Sequence, residues 1–263
     1  MKDTKIIFID LDGTLKNDNG KIDEKIPKVF QNFKDIGIYI VFTTGRATSY
    51  TESLAKQFST SSYLISSNGA EIYNYVSKKS ILKSVISKSN LNYLDELIKK
   101  YNLMFIANCT KMRYTNKKDM LEKKVNSLNE INEEITQVVI ESYDIETMKH
   151  FKSELLNNES LKIANKSKDL SEGKLLYYDI TTKDASKGNA IKELCKYLNI
   201  DINKTMAIGD AINDLEMFSV VKCKVAMENA DAELKKIATY ITPSNNENGV
   251  MQILNKLYSE INN

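Results

Sequence analysis

The chain has 263 residues, which is enough for one large domain or two domains of moderate size. Hydrophobic residues make up 42% of it and charged residues 27%, a composition that excludes a disordered chain and is typical of a globular protein. The 37 lysines and arginines almost balance the 35 acids, for a formal net charge of +2, so a broad nucleic-acid or anionic-membrane surface is not expected.

Short apolar strands alternate with amphipathic helices at the start of the chain. In chain order we predict a strand at 5–10, a helix at 23–36, a strand at 38–42, a helix at 47–58 and a strand at 63–65. The first strand is β-branched and aromatic up to its acid, as expected for a strand that is buried on both faces. This β-α-β-α-β order predicts a parallel sheet with right-handed crossovers.

The end of the chain resumes this alternation, and a different region separates the two parts. After residue 185 we predict helices and strands in turn, at 187–198, 205–208, 212–218, 221–226, 230–236, 239–241 and 249–261. Between the parts we predict helices at 90–100, 118–128 and 145–156, and strands within 104–114, at 135–142, near 161 and at 175–181. The expected fold class is therefore α/β, with a doubly wound (Rossmann-like) parallel sheet from residues 1–78 and 185–263 and an inserted, mainly antiparallel α+β domain at 79–184.

Polar residues follow the predicted strands of the doubly wound part, where each strand ends. In an open parallel sheet, ligands bind at the carboxyl ends of the strands, so these side chains are the candidates for a functional site. Four strand ends and one helix start supply them: Asp10, Asp12, Gly13, Thr14, Thr44, Arg46, Asn68, Gly69, Asp210, Asn213, Asp214 and Lys187.

Asp10 and Asp12 are two residues apart, so in an extended segment both side chains can project to the same side. Two carboxylates held close together repel one another unless a cation or a shared proton relieves them. Mg²⁺ prefers oxygen ligands and keeps positions open for substrate and water, and Asp210 from another strand end would complete an acidic site. The alternative is that Asp12 and Gly13 only form a turn after the strand.

Thr44 and Lys187 add the groups that a phosphate requires. Thr44 offers a hydroxyl donor, and Lys187 offers a positive charge that can bind phosphate and offset the charge of a nucleophile. Each residue alone is weak evidence, because a threonine at a strand end is commonly a turn residue and a lysine at a helix start commonly faces solvent. Asp214 could equally be a first-turn acid that the helix dipole favours. The combination of these residues indicates a phosphate site.

The remaining features of the sequence concern location and metals. The N-terminus lacks a signal-peptide pattern, and no apolar stretch reaches the ~20 residues of a membrane helix. Three well-separated cysteines, Cys109, Cys195 and Cys223, are expected to be reduced thiols of a cytoplasmic protein. With one histidine, His150, and no close cysteine pair, a zinc site is not expected. We expect a monomer or a weak homodimer without nucleic-acid or membrane partners.

These motifs, taken in order, resemble those of the haloacid dehalogenase superfamily, and within it the Cof-type phosphatases with a C2-type cap (subclass IIB). The matching segments span nearly the whole doubly wound part: residues 10–15 (Asp-Leu-Asp-Gly-Thr-Leu), 44–46 (Thr-Gly-Arg), 68–70 (Asn-Gly-Ala), 186–188 (Ser-Lys-Gly), 209–210 with 213–214 (Gly-Asp and Asn-Asp) and 248–250 (Asn-Gly-Val). The inserted α+β region falls where such caps belong. The resemblance implies a phosphatase that acts on a small phosphorylated metabolite of the sugar phosphate, nucleotide, flavin mononucleotide or pyridoxal phosphate class.

The resemblance also assigns a role to each matching residue. It implies that Asp10 attacks phosphorus to form an aspartyl-phosphate and that Asp12 acts as general acid and base. It implies a Mg²⁺ site made by the Asp10 and Asp210 carboxylates and the backbone carbonyl of Asp12. Asp214 is implied to orient these ligands. The residues implied to hold the phosphoryl group are Thr44 and Lys187, and those around the substrate are Gly13, Thr14, Arg46, Asn68, Gly69 and Asn213.

Two other classes of protein share parts of this pattern. A response-regulator receiver also uses an aspartate cluster, a threonine and a lysine on a doubly wound sheet, but it needs about half this length and has no large insertion. A phosphotransferase, such as a sugar-phosphate mutase, also passes through an aspartyl-phosphate and differs in whether water or a second hydroxyl takes the phosphoryl group. The sequence alone does not separate this second class from a phosphatase.

Overall fold

The computed structural model describes residues 1–117, 122–168, 170–171 and 173–262. Within these residues the chain forms two β-sheets, and each sheet packs against helices through a hydrophobic core of its own. The larger sheet is made by the two ends of the chain, and the smaller sheet is made by the region between them.

Strands and helices of the described residues are numbered in chain order. The strands are β1 (Ile6–Ile9), β2 (Tyr39–Thr43), β3 (Tyr63–Ser66), β4 (Glu71–Asn74), β5 (Lys79–Lys83), β6 (Met104–Asn108), β7 (Arg113–Thr115), β8 (Lys123–Lys124), β9 (Gln137–Ser142), β10 (Leu161–Lys166), β11 (Leu176–Thr182), β12 (Thr205–Gly209), β13 (Cys223–Met227) and β14 (Tyr240–Thr242). The α-helices are α1 (Ile26–Asp35), α2 (Thr48–Gln57), α3 (Lys88–Lys100), α4 (Ile145–Leu155), α5 (Lys187–Tyr197), α6 (Leu215–Phe218), α7 (Ala232–Ile237) and α8 (Gly249–Asn262).

Strand β1 lies inside the large sheet, whose order is β14-β13-β12-β1-β2-β3-β4-β5. The strands from β14 to β3 run parallel, and β4 and β5 add an antiparallel hairpin at one edge. Ile9 is level with Ile208 of β12 and Phe42 of β2, so the residues that follow these three strands lie side by side. The predicted α/β fold with a doubly wound sheet is confirmed.

Helix α1 shows how the large sheet is covered. The side chains that it buries follow the i, i+3, i+4, i+7 spacing of an amphipathic helix: Ile26, Val29, Phe30 and Phe33. Phe33 packs edge-on against Tyr258 of α8, with the ring centroids 5.6 Å apart. Helices α1 and α8 therefore pack against each other while they cover the sheet.

The small sheet has the order β10-β11-β9-β6-β7-β8 and is antiparallel except for the short pair of β7 and β8. Side chains alternate between its two faces, as the period of a strand requires. Along β9, Val138 and Ile140 lie in the hydrophobic core with α3 and α4. The alternate residues Gln137, Val139 and Glu141 line a cavity at the carboxyl ends of the large sheet. The small sheet thus has one apolar face and one largely polar face.

The hairpin of β4 and β5 has no counterpart among the predicted elements. Strand β5 pairs with β4 of the large sheet, although the predicted boundary after residue 78 assigns β5 to the inserted region. Both strands are short and carry polar residues, so they lack the long apolar run that marks a buried strand. We propose that the boundary between the two regions lies after β5, at residues 84–87.

The predicted helix at 118–128 is wrong in the part that the structure describes. Residues 118–121 lie outside the described residues. Lys123–Lys124 form β8 instead, and Val125 and Leu128 are buried in the hydrophobic core of the small sheet. Pairing with β7 and burial of these two side chains outweigh the helical propensity of a segment that contains three lysines and two leucines.

The three cysteines lie in the interior of the protein. Cys109, Cys195 and Cys223 are buried and free. Burial raises the pKa of Cys109 to about 12 and those of Cys195 and Cys223 to about 11, which keeps these thiols protonated and unreactive. Among the described residues, no helix is both long enough and apolar enough to cross a bilayer.

Candidate active site

A fully buried lysine bridges two carboxylates at the centre of the large sheet. Asp10 follows β1, and Lys187 is the first residue of α5. The ammonium group of Lys187 donates to Oδ1 of Asp10 at 2.6 Å and to Oδ1 of Asp214 at 2.7 Å. Burial opposes the charge of Lys187, but the two carboxylates outweigh this effect and raise its pKa above the usual range. The contacts of Lys187 with Asp10 and Asp214 are shielded from solvent.

Close backbone contacts hold the start of α5 in this position. Ser186 caps the helix, since its hydroxyl accepts the backbone N–H of Asn189 at 2.9 Å. Gly69 has a left-handed φ of +89°, and a Cβ there would lie 2.2 Å from the backbone carbonyl of Ser186. Only glycine allows this approach, so the turn after β3 fixes how deeply Lys187 enters the site.

Three carboxylates form an acidic cluster beside the lysine. Oxygen atoms of Asp10, Asp210 and Asp214 lie within 4.8 Å of one another, and all three residues are buried. Thr14 donates its hydroxyl to Oδ1 of Asp210 at 2.7 Å. Oδ2 of Asp214 accepts the backbone N–H groups of Asp210 and of the next residue at 3.0 and 3.1 Å. The loop after β12 thus folds back on itself and aims Asp210 at the end of β1.

The acidic cluster holds three carboxyl groups against one ammonium group. Burial raises the pKa of Asp10 well above its usual range, and Lys187 offsets this only in part. Burial and the neighbouring charge of Asp214 raise the pKa of Asp210 to about 6. Three carboxylates against one ammonium group favour a further cation, and a donor set of carboxylate oxygens suits Mg²⁺. The residues present therefore fit a magnesium ion.

Gly13 lets the loop after β1 pass close to the acidic cluster. Its φ is +82°, and a Cβ at this position would lie 2.5 Å from Oδ2 of Asp210. The carbonyl of Gly13 accepts the side-chain amide of Asn229 at 2.8 Å, which anchors the loop on its other side. Any larger residue would displace the Asp210 carboxylate.

Asp12 has a different environment and is held by two cations. Arg46 donates to it from Nε at 2.7 Å and from Nη2 at 3.0 Å, and Nζ of Lys16 lies 3.5 Å from Oδ1. Lys16 also donates to the hydroxyl of Tyr50, and both cations lie near the Tyr50 ring, at 4.6 and 5.6 Å from its centroid. Burial opposes ionisation of Asp12, but Arg46 and Lys16 outweigh it and lower its pKa. In this arrangement Asp12 is an ionised carboxylate.

A cavity of about 530 Å³ opens above the acidic cluster. Residues at the strand ends of the large sheet form its floor: Asp10, Asp12, Thr44, Arg46, Asp210 and Asn213. Residues on the polar face of the small sheet form the opposite wall: Asn108, Arg113, Gln137, Glu141, Tyr177 and Asp179. A ligand in this cavity would contact both regions of the chain.

Polar contacts join the two regions around the cavity. Asn68, in the turn after β3, donates to Oδ2 of Asp179 on β11 at 3.0 Å. Lys168, in the segment between β10 and β11, pairs with Asp231 next to α7 at 3.0 Å. These contacts hold the polar face of the small sheet over the strand ends.

The structure brings the predicted site residues together in two layers. Those that line the cavity are Asp10, Asp12, Thr44, Arg46, Asp210 and Asn213. Those buried behind its wall, in contact with other site residues, are Thr14, Asn68, Gly69, Lys187 and Asp214, with Gly13 packed against Asp210. Thr44 also accepts the backbone N–H of Arg46 at 3.2 Å, which is the turn contact expected of a threonine at a strand end. The roles of the individual residues stay predictions.

Sequence reasoning missed residues on both sides of the cavity. Lys16 and Tyr50 hold Asp12 and its arginine, but they are 34 positions apart and no spacing rule links them. Gln137 and Asp179 face the cavity from β9 and β11. For Gln137 and Asp179 the sequence does contain a signal, because a glutamine or aspartate within an otherwise apolar strand indicates a buried group that requires a polar partner.

Comparisons with known proteins identify relatives that match nearly the whole chain. The family model described as haloacid dehalogenase-like hydrolase matches residues 7–254. A Streptococcus pyogenes serotype M6 protein, provisionally named a phosphatase, is 32% identical over 266 residues, covering 96% of this chain and 97% of its own length. The 5-amino-6-(5-phospho-D-ribitylamino)uracil phosphatase YcsE of Bacillus subtilis is 30% identical over 261 residues, covering 96% and 95%. The solved structure of a haloacid dehalogenase-like hydrolase from Bacteroides thetaiotaomicron superposes with a TM-score of 0.84 at 25% identity, covering 97% of this chain and 99% of that one.

Proposed function

The chain belongs to the haloacid dehalogenase-like hydrolases, and we propose that it is a Mg²⁺-dependent phosphatase that hydrolyses a small phosphorylated metabolite through an aspartyl-phosphate. The family and the phosphatases among its relatives make it a phosphoric monoester hydrolase. One observation carries the finer proposal: the buried carboxylate of Asp10 lies at the floor of a cavity, between a buried lysine and two further acids. A receiver-type signalling module does not account for a family match over residues 7–254.

Asp10 is the nucleophile in this proposal. A carboxylate oxygen attacks phosphorus, the bond from phosphorus to the leaving-group oxygen breaks, and that oxygen keeps the electron pair. Because Lys187 binds Oδ1 of Asp10 from the buried side, attack on a substrate in the cavity falls to Oδ2. Lys187 and Thr44 stabilise the charge of the transferring phosphoryl group.

Asp12 is the proposed general acid and base. Once released from Arg46, Asp12 takes up a proton from solvent, gives it to the leaving-group oxygen as the bond breaks, and later takes a proton from the water that attacks the aspartyl-phosphate. Arg46 binds both oxygens of Asp12, so this ion pair must open before Asp12 can transfer a proton. A substrate phosphate offers Arg46 an alternative bidentate partner, and its arrival would release Asp12.

Asp10 and Asp210 are the carboxylates that would hold Mg²⁺, together with the backbone carbonyl of Asp12. When bound, the ion neutralises negative charge on the phosphoryl oxygens and acts as a Lewis acid. Thr14 donates to one oxygen of Asp210, which leaves the other oxygen for the metal. Asp214 holds the loop that carries Asp210 and so keeps this ligand in place.

The leaving group lies between the two sheets in this proposal. A cavity of about 530 Å³ is within the range of small-molecule sites, and its amides, carboxylates and arginine favour a polar leaving group. The relative YcsE is named for a phosphorylated ribitylamino-uracil, which supports a metabolite of the sugar phosphate, nucleotide, flavin mononucleotide or pyridoxal phosphate class. We place the protein in the cytoplasm, as a monomer or a weak homodimer.

The inserted region acts as a cap over the active site. Its contacts with the large-sheet region around the cavity are polar pairs, such as Asn68 with Asp179, and the hydrophobic cores of the two regions are separate. Opening of these pairs would admit the substrate, and their closure would exclude water during the reaction. Scattering profiles that are identical for the free protein and for a complex with a phosphate analogue would count against this motion.

Phosphate release from a panel of sugar phosphates, nucleotides, flavin mononucleotide and pyridoxal phosphate tests the proposal. The assay is run with Mg²⁺ and with EDTA, and Asp10→Asn serves as an isosteric blank. We expect release that requires the metal and is lost in Asp10→Asn. Equal rates in the wild type and in Asp10→Asn would refute the nucleophile. Phosphate that passes to a second hydroxyl compound rather than to water would make the protein a phosphotransferase.

A further inference from the structure

A buried acid of the small sheet faces the cavity, and the proposed mechanism does not use it. Asp179 lies in the middle of β11, and its neighbours Tyr178 and Ile180 pack on the apolar side of the sheet. Asp179 therefore points the other way, into the cavity that also contains Asp10. Its side chain is almost completely shielded, with 6% of the residue exposed. Burial of a carboxylate is costly, so its position requires a partner.

The protein supplies only part of the hydrogen bonding that Asp179 can accept. Within the described residues, we find one hydrogen bond to its carboxyl group, from Nδ2 of Asn68 to Oδ2 at 3.0 Å. Asn68 is itself fixed, because its Oδ1 accepts from Asn213 at 3.2 Å and its Nδ2 also approaches Gln137 at 3.5 Å. A carboxylate can accept about four hydrogen bonds. Asp179 thus offers unused acceptor capacity at a fixed position in the cavity.

The charges around Asp179 favour a neutral donor over a second anionic group of the substrate. Arg46 faces it from the large sheet, but the guanidinium group of Arg46 is already bound to Asp12. Glu141, on the adjacent strand, adds negative charge near Asp179 and is paired with Lys117. A hydroxyl group can donate to Asp179 without a balancing charge of its own, whereas an ionised carboxylate has no proton to donate.

We propose that Asp179 is a specificity-determining residue, which selects the substrate by accepting a hydrogen bond from a hydroxyl group of the leaving group. This inference rests on the proposed phosphatase activity and adds to it the part of the metabolite that the protein recognises. Asp10 and Asp179 line one cavity of about 530 Å³, so a single small molecule can contact both. Phosphorylated sugars and polyols meet this requirement, and simple alkyl or aryl phosphates do not.

Matched substrates test the assignment: sugar phosphates, each compared with deoxy analogues that lack one hydroxyl group. The ratio of kcat/KM for each pair is measured at pH 8, because burial raises the pKa of Asp179 to about 7 and its ionised form is the stronger acceptor. For the wild type we expect a ratio of about 10 to 100 at one hydroxyl position, the range for a hydrogen bond to a charged group. In Asp179→Leu, which keeps the size but removes the acceptor, the ratio falls to about 1, chiefly through KM.

Two further variants separate recognition from structure. Asp179→Asn keeps one acceptor and the shape of the side chain, so it should give an intermediate ratio. Glu146→Leu changes an exposed acid on α4, outside the cavity, and should keep the wild-type ratio. A purely structural role of Asp179 would lower kcat/KM equally for both members of each pair. An undiminished ratio in Asp179→Leu would therefore overturn the proposal.

p-Nitrophenyl phosphate, which carries no hydroxyl group, distinguishes failure of this inference from failure of the proposed function. If the wild type hydrolyses it with Mg²⁺ but shows no preference within any sugar phosphate pair, the role of Asp179 is refuted and the phosphatase stands. If the wild type hydrolyses none of the substrates, both proposals are refuted.

Discussion

Replacing Lys187 with methionine tests how the acidic cluster is held together. Methionine has a similar length and fits a buried position, but it removes the ammonium group that lies 2.6 Å from Asp10 and 2.7 Å from Asp214. Removal of one partner from a buried ion pair costs about 3–5 kcal/mol, because the remaining charge is left without compensation. For a chain of this size each kcal/mol corresponds to about 2–4 °C in Tm, so we expect Lys187→Met to melt about 6–20 °C below the wild type at pH 7.5.

The measurement is thermal unfolding of both proteins in EDTA, so that no metal replaces the lost charge. Lys192→Met is the matched control, because Lys192 is exposed on the same helix and its replacement should change Tm by no more than about 2 °C. Without the ammonium group, the folded variant takes up a proton on Asp10 at a higher pH than the folded wild type does, because Lys187 lowers the pKa of this carboxyl group. The difference in stability between Lys187→Met and the wild type should therefore narrow as the pH falls towards 4. A Tm of Lys187→Met within 2 °C of the wild type at pH 7.5, or a difference that is the same at pH 4, would refute the electrostatic reasoning.

Three further outcomes are expected. Gly13→Ala should lower kcat about 100-fold or more, because the new Cβ would displace the Asp210 carboxylate. Gly20 has a similar positive φ but open space around it, so the control Gly20→Ala should leave kcat unchanged. Millimolar Mg²⁺ should raise the Tm of the wild type but not that of Asp210→Asn, as measured by calorimetry. Burial raises the pKa of Asp179 from 3.8 to about 7, so the folded protein favours the protonated form of this carboxyl group. The resulting contribution to the free energy of unfolding is fully present below about pH 4 and is lost as the pH rises through 7. Asp179→Asn should therefore gain Tm relative to the wild type between pH 5 and 8, by up to the equivalent of about 4 kcal/mol.

Each of these expectations has a result that contradicts it. Equal losses of kcat in Gly13→Ala and Gly20→Ala would point to backbone strain rather than to displacement of the carboxylate. The same Mg²⁺-induced shift of Tm in Asp210→Asn would place the metal elsewhere. A constant difference in Tm between Asp179→Asn and the wild type from pH 5 to 8 would mean that Asp179 does not titrate in this range.

The doubly wound part could be predicted because local pattern and environment agree there. Ile6–Ile9 is apolar at every position and is buried between two parallel neighbours, so the composition of the strand matches its surroundings. Asp10, Thr44 and Asp210 directly follow β1, β2 and β12, and these three strands are neighbours in the sheet. The place of the site at one edge of the sheet therefore follows from the chain order of the elements.

Contacts between distant positions could not be predicted in the same way. Asn68 and Asp179 are 111 positions apart, and their hydrogen bond depends on how the small sheet lies over the large one. The alternation along Gln137–Ser142 indicates a strand with two faces, but it does not indicate which face meets the acidic cluster. The ion pair of Asp12 with Arg46 is likewise not evident from the sequence, because the motifs imply proton transfer for the side chain of Asp12 and substrate binding for Arg46.

Because the two hydrophobic cores are separate, the residues that line the two halves of the cavity can change independently in evolution. Within the described residues, the buried apolar side chains that support Asp10 and those behind Asp179 belong to different clusters with no member in common. Mutations on the polar face of the small sheet can accumulate without unpacking the strands that carry the nucleophile. Duplicated genes that descend from one such ancestor can therefore come to serve different metabolites while every copy inherits the same reaction.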